Sequence, residues 1–305
     1  LKVNDFTSTI VDETIATTHS INSKELGSIE TKFRVLLQER NVIPYFQPIV
    51  RFSDTVGLGY EILGRVADSD LPSNPSELLD MAEWFGCGSN LSSLFREVGV
   101  DIARNLPGSP LLFVNTSQLE LLEMDALLAS LERIRDLAPS EKIVLEINEK
   151  AAAGADEILQ LRQALRKMDI GLAFDDFGVG QTRLVELSNI SPNYLKFDMS
   201  LIRQIHLAPK RLHQMISTFV TAAHDLGICT LAEGIECSEE AKVCEQLGFD
   251  LAQGFLFGRP MPIHDIVKNA SYGQTVSGKN PAPPSKTDQK AGIPANRPAT
   301  VIKSF

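Results

Sequence analysis

Two adjacent carboxylates, Asp175 and Asp176, end the apolar run Leu172-Ala173-Phe174 and precede the glycine-bearing loop Phe177-Gly178-Val179-Gly180. Burying neighbouring like charges destabilises a fold unless a cation lies between them. Carboxylates at the carboxyl end of a strand are placed to hold a hard divalent ion, although an isolated pair could equally cap the next helix. The pattern recurs at other strand ends. Glu61, with Arg65 in phase, lies in the second strand and Asn115 ends the third. Glu146 and Glu149 close the fourth, and Lys196 and Asp198 share one face of the sixth by their period of two. Glu233 ends the seventh, Glu236 follows in its loop, and Gln253 lies in the eighth. Charged residues are rare inside apolar strands, so the recurrence predicts one shared polar mouth rather than unrelated surface residues.

The chemistry of such a mouth follows from its donors. An oxygen-only set suits Mg²⁺ or Mn²⁺ better than Zn²⁺. Five or six carboxylates exceed the need of one ion, so two ions are expected. Two ions about 4 Å apart can hold a phosphate, make a hydroxide from water and stabilise the leaving oxygen. Lys196 adds a fixed positive charge, and Arg65 can pair with a non-bridging phosphate oxygen. The expected reaction class is in-line hydrolysis of a phosphodiester.

Bringing these residues to one rim requires strands that alternate with helices. Tyr45–Val50 and Leu58–Val66 read as strands joined by the turn Ser53–Gly57, too short for a crossover, so this first pair is expected to be antiparallel. Further strands are predicted over Leu111–Asn115, Lys142–Asn148, the run ending in Asp175, Asn193–Asp198, Ile228–Ile235 and Phe249–Phe255. Helical periodicity begins at Ser28, where Ile29, Phe33, Leu36 and Leu37 share a face, and recurs around 76–85 and 90–105. A further helix near Pro209 ends at Gly227, and one capped by Ser238 ends at Gly248. Eight strands alternating with helices over roughly 220 residues is the size of a (β/α)8, TIM-like barrel. A doubly wound sheet is the other arrangement, but the glycine-rich phosphate loop usual after its first strand is missing.

Composition narrows the class. The 305 residues are 43% hydrophobic, ordinary for a globular chain, and 39 acids against 29 bases give a formal charge of −10. That balance argues against a nucleic-acid polymer as partner. No apolar run is long enough to span a membrane and no signal pattern opens the chain, which starts at Leu1. Cys87, Cys229, Cys237 and Cys244 form no C-x-x-C pair, and His206, His213 and His224 are scattered, so reduced cytosolic thiols are expected and a zinc site is not. Residues 1–27 read as an N-terminal linker and 28–264 as the barrel. Residues 265–305, with Pro281, Pro283, Pro284, Pro294 and Pro298 among Lys279, Lys286, Lys290, Arg297 and Lys303, read as a disordered, proline-rich basic tail.

Over about residues 30–263 the motifs resemble the EAL family of cyclic di-GMP phosphodiesterases. Glu61-Ile62-Leu63-Gly64-Arg65 stands for the name motif, preceded by Gln47-Pro48-Ile49. Val114-Asn115-Thr116-Ser117, Glu146-Ile147-Asn148-Glu149, Asp175–Gly180, Leu195–Asp198, Ala232–Glu236 and Gln253-Gly254-Phe255 complete the set. The resemblance implies a barrel with an antiparallel first strand, two Mg²⁺ or Mn²⁺ ions and hydrolysis of cyclic di-GMP to linear pGpG in bacterial signalling. It implies metal ligation by Glu61, Asn115, Glu146, Asp175, Asp176 and Glu233. Lys196 would orient or activate water, and Glu149 would brace the loop after the fifth strand. Gln47, Arg65 and Asp198 would lie on the dinucleotide side, with Glu236 and Gln253 supporting the site. It also implies a homodimer, and an upstream sensor domain if the chain is a fragment.

The chain departs from the pattern at Ile62 for alanine, Asn148 for threonine, Val179 for threonine, Gln181 for tyrosine and Val66 for an aromatic residue. None of these removes an implied ligand. The alternative function is a catalytically impaired EAL domain that acts as a cyclic di-GMP receptor. An enolase-like barrel, using a lysine base and metal-bound carboxylates, would need a capping domain that the short N-terminal segment cannot supply.

Overall fold

A computed structural model describes residues 23–53, 57–68, 70–148, 154–179 and 184–268. Helix α1 (Ser23–Glu39) leads into the hairpin β1 (Val42–Arg51) and β2 (Gly57–Val66), followed by α2 (Pro75–Trp84) and α3 (Gly88–Ala103). Then come β3 (Leu111–Asn115), α4 (Gln118–Leu122), α5 (Met124–Leu137), β4 (Ile143–Asn148), α6 (Ala155–Lys167) and β5 (Ile170–Phe177). The chain continues through α7 (Leu184–Ile190), β6 (Tyr194–Phe197), α8 (Met199–Ile202), a 3-10 turn (Ile205–Leu207) and α9 (Lys210–Asp225). It closes with β7 (Cys229–Ala232), α10 (Ser238–Leu247), β8 (Leu251–Gln253) and the short β9 (Met261–Pro262).

Strands β2 to β8 run parallel in sequence order, and β1 pairs antiparallel with both β2 and β8, which closes the ring. The expected barrel with an antiparallel first strand is thus present. A proline cannot donate to a ladder, and β1 meets β8 only through Ile49–Arg51, beyond Pro48. Strand β9 was not expected; it adds to β1 at Tyr45 and Phe46.

Two boundaries differ from expectation. Helix α1 starts at Ser23, inside the segment read as linker. Residues 263–268 are helical and bury Ile266, so the core continues past 264. The remaining parts of the expected linker and tail, residues 1–22 and 269–305, lie outside the described residues.

Alternation along the strands sorts the core into layers. Inward Ile49, Leu111, Phe113, Val144, Ala173, Leu231 and Leu251 fill the barrel. Outward Ile62, Val114, Leu145, Ile147, Leu172, Leu195 and Phe197 pack under the helices. Burial of one such aliphatic or aromatic side chain contributes roughly 1.5–3 kcal/mol. The outward turn of Ile62 settles its effect on the site, since the side chain faces α3 rather than the barrel interior. A Cβ at Gly99 of α3 would stand 2.4 Å from Ile62 Cγ2, so the glycine leaves the room that the larger residue occupies.

Candidate active site

Regular alternation would send the side chains of Asp175 and Asp176 to opposite faces. The β5–β6 register breaks between Phe174 and Phe177, and Asp176 has a left-handed φ of 57°. This bulge-like irregularity brings the second carboxylate back to the mouth. Bulges and strained backbone concentrate at functional sites. Asp175, Asp176 and Glu233 consequently offer oxygens that all lie within 4.8 Å of one another.

Lys196 rises from β6 into the centre of the ring, 1% exposed. Its Nζ lies 2.6 Å from Glu146 Oε1, 2.9 Å from Glu233 Oε1, 3.1 Å from Asp175 Oδ1 and 3.7 Å from Glu61 Oε2. Burial would lower the lysine pKa, but the charges of Asp175, Glu146, Glu233 and Glu61 raise it well above its ordinary value. Lys196 is therefore a fixed ammonium. Burial pushes Glu146 well above the usual carboxylate range, with Glu61 and Asp175 adding to the effect and Lys196 opposing it. Burial likewise raises Glu233, helped by Asp175 and opposed by Lys196, and Asp175 is raised for related reasons. Glu61 behaves differently: burial alone would raise it, but Lys196 and hydrogen bonds from Asn115 and Gln253 hold it low.

Those hydrogen bonds show how the ring is supported. Asn115 Nδ2 donates to Glu61 Oε1 at 3.0 Å, and Gln253 Nε2 donates to Glu61 Oε2 at 2.7 Å. Gln253 is buried, and its amide orients Glu61 from within the barrel. Gln47 is the β1 register partner of Glu61. Asn148, placed where the family pattern has threonine, donates through Nδ2 to Asp176 Oδ2.

Sequence reasoning missed Arg96 and Glu120. Arg96, on the buried face of α3, donates to Asn115 O at 3.0 Å, Ser130 Oγ at 3.0 Å and Glu120 Oε2 at 2.8 Å, and also reaches Glu120 Oε1. Glu120 accepts from Ser117 N and Thr116 Oγ1, both at 3.0 Å. This buried pair clamps the turn that presents Asn115. The capping box formed by Ser117 and Glu120 was the only signal in the sequence that could have pointed to it.

Other expected residues stand farther from the ring's centre. Arg65 is half-buried on β2, donates to Gly64 O at 2.8 Å and lies over the Tyr45 ring at 5.6 Å. With Pro75, Leu79 and Phe95 it lines a cavity of about 230 Å³ that opens beside Glu61 and Asn115. Asp198 spends Oδ1 on the Ser200 N–H at 2.8 Å, capping α8. Glu236 pairs with Arg203 in the loop beyond Glu233. Glu149 lies outside the described residues.

The donor set fits hard divalent cations. It consists of carboxylate and amide oxygens, and one member is left without proper hydrogen bonds. Glu146 Oε1 is close to Lys196 but poorly aligned for a hydrogen bond, and Oε2 is buried with no hydrogen-bond partner. A buried carboxylate in that condition is costly unless a cation approaches it.

The comparisons with known proteins agree with this geometry. A family model described as EAL domain matches residues 30–260. The cyclic di-GMP phosphodiesterase RocR of Pseudomonas aeruginosa is 31% identical over 225 residues, covering 72% of this chain and 57% of RocR. An uncharacterised protein of Azorhizobium caulinodans is 28% identical over 251 residues, 77% of this chain and 34% of its own length. The chain thus spans about a third to somewhat over half of these curated relatives. Among solved structures, the PaMucR phosphodiesterase in complex with c-di-GMP superposes with a TM-score of 0.68 at 26% identity, covering 77% of this chain and 98% of that one. A manganese and cyclic di-GMP complex of Klebsiella pneumoniae BlrP1 gives 0.64 at 27% identity, with 72% and 56% covered. The match runs through the whole acidic ring and the strands that carry it, and this chain belongs to the EAL domain family.

Proposed function

We propose that the chain is a metal-dependent phosphodiesterase that opens cyclic di-GMP to linear pGpG in bacterial second-messenger signalling. The observation that carries this reading is the intact acidic ring closed around the Lys196 ammonium. Five carboxylates against one ammonium leave a formal charge of about −4, which two divalent cations balance. Glu61, Asn115, Glu146, Asp175, Asp176 and Glu233 would hold Mg²⁺ or Mn²⁺. When bound, such ions supply Lewis-acid charge to a phosphate and lower the pKa of water.

The chain's own groups would do the rest. Lys196, kept protonated by its neighbours, acts as a fixed cation that orients the attacking water and opposes charge building on the phosphorus oxygens. Glu233 stands beside Lys196, and its carboxylate oxygen not given to a metal can accept the proton that water gives up. Glu149 is assigned the support of the loop after β5. Arg65 and Gln47 would hold the dinucleotide, one base entering the apolar-walled cavity beside Arg65. Asp198 and Glu236 are assigned to the outer edge of the site, where each already orders a loop. In the reaction a water oxygen bonds to phosphorus, one phosphoester bond breaks, and the released sugar oxygen takes a proton.

Action in the cytoplasm belongs to the same reading; among the described residues no helix is long and apolar enough to cross a membrane. A homodimer is also proposed, supported by the exposed apolar side chains of Val179, Met199 and Leu207, and an upstream sensor segment would supply the input.

The test is chromatography of cyclic di-GMP incubated with the chain and Mg²⁺, Mn²⁺ or excess chelator, beside Glu61→Ala. Metal-dependent pGpG that vanishes in the variant is the expected result. Tight binding without product would overturn the enzyme and leave the receptor.

A further inference from the structure

The 3-10 turn after β6 and the start of α10 bring together three donors of different kinds. The ligand atoms of His206, Cys237 and Glu240 all lie within 4.8 Å of one another. None of them belongs to the carboxylate ring. Their separation in sequence gives no zinc spacing, which is why the sequence predicts no such site; the fold supplies the proximity.

Three observations point to a cation there. Nδ1 of His206 is buried and meets no hydrogen-bond partner, a condition that costs stability. Glu240 is 4% exposed, yet among the described residues no basic side chain pairs with it. Its carboxylate accepts Gln204 N at 2.7 Å on Oε1, and Glu236 N at 2.8 Å and Cys237 N at 3.3 Å on Oε2. The Cys237 thiol hydrogen-bonds to the same carboxylate, so these bonds lock the group in place, and loss of the thiol proton frees an oxygen lone pair for an ion. The third observation is Cys237 itself, at the N-cap of α10. That position favours Ser, Thr, Asp or Asn. Here the Cys237 side chain instead shares a capping box with Glu240, which holds a good metal-ligating sulfur against the carboxylate.

We propose that His206, Cys237 and Glu240 form a second metal site, selective for Zn²⁺ or a similarly soft divalent ion, with a solvent molecule completing four-coordination. Thiolate and imidazole select such ions over Mg²⁺ and Mn²⁺, so the two sites sort cations by hardness. Binding forms a metal–sulfur bond and releases the thiol proton to solvent. The ion ties the segment following Lys196 to the loop following Glu233, the same two segments that the Arg203–Glu236 ion pair joins. It would therefore fix the spacing of two strand ends at the ring without touching substrate.

The test titrates the metal-free full chain with Co²⁺, a spectroscopic stand-in for Zn²⁺, in excess Mg²⁺. The expected result is a thiolate-to-cobalt charge-transfer band that saturates near one ion per chain and is displaced by Zn²⁺. The band disappears in Cys237→Ser, a change that keeps a good N-cap and hence the fold. It needs at least about tenfold more Co²⁺ in His206→Gln and persists in Asp175→Asn. Circular dichroism confirms that each variant is folded. A wild-type chain with no band, a band surviving Cys237→Ser, or a band lost with Asp175 would each overturn the proposal. The readout is independent of phosphodiester hydrolysis.

Discussion

Replacing Lys196 by methionine removes the one ammonium that the described residues place inside the ring and leaves four carboxylates that stood 2.6, 2.9, 3.1 and 3.7 Å from it. At an effective dielectric of about 20, each such pair carries roughly 4 kcal/mol or more of Coulomb attraction, most of it offset by desolvation. Removing one partner of a buried pair destabilises by about 3–5 kcal/mol, because the other charge is left uncompensated. For a barrel of this size that corresponds to a fall in Tm of roughly 6–20 °C in chelator. Glu146, Glu233 and Asp175 have folded pKa values above their ordinary ones. Their protonated forms favour the fold, so the stability they contribute is present at low pH and lost as pH rises through the folded values. The deficit of Lys196→Met should therefore shrink on acidification toward the ordinary carboxylate range and grow as the pH rises above it. Saturating Mn²⁺ should recover part of it, since a ligand at 100 times its Kd adds about 2.7 kcal/mol per site. Differential scanning calorimetry across this grid of pH and Mn²⁺ is the assay. A Tm in chelator within about 2 °C of wild type at pH 8 would refute the charged-ring argument.

Further outcomes follow from the supporting residues. Arg96→Met should cost about 3–5 kcal/mol in urea unfolding, and Arg96→Met with Glu120→Leu should recover most of it. Burial would raise Glu120, but Arg96 outweighs burial and holds the carboxyl low. Its contribution is thus present above the ordinary carboxylate range and lost as pH falls through the lowered value, so wild type should lose stability relative to the double variant as the pH is taken below the ordinary carboxylate range. Gly99→Ala should cost roughly 1–3 kcal/mol through its clash with Ile62, and a cycle with Ile62→Ala should show coupling of about 0.5–3 kcal/mol. Asn148→Ala should weaken Mn²⁺ binding in calorimetry by roughly 10–100-fold, because it frees Asp176 to turn away.

The barrel and its acidic rim were readable because charged residues inside apolar strands contradict the strand pattern unless they share a purpose. Glu61, Glu146 and Lys196 announce themselves in this way, and the strand order places them together. The bulge at Asp176 was not readable, since nothing in adjacent aspartates says that one strand will break its register. Gln253 looks like any polar strand residue until the closure of β8 on β1 puts it under Glu61. Arg96 sits in an ordinary amphipathic helix, and periodicity does not report that an arginine on the buried face has found a carboxylate from another element. Ile62 follows Glu61 in sequence, but strand alternation turns it toward Gly99, a contact between distant residues that no local pattern records. Ser238 was expected to cap α10, yet the cap falls on Cys237, because a capping box with Glu240 fixes the start one residue earlier.

The most direct test of the acidic ring is a count of bound Mn²⁺ by calorimetry and electron paramagnetic resonance on the metal-free chain. Wild type should bind two ions per chain, and the chain carrying Asp175→Asn with Glu233→Gln should bind none of comparable affinity. A stoichiometry below two, or one that survives the double substitution, would contradict two-ion binding at the ring.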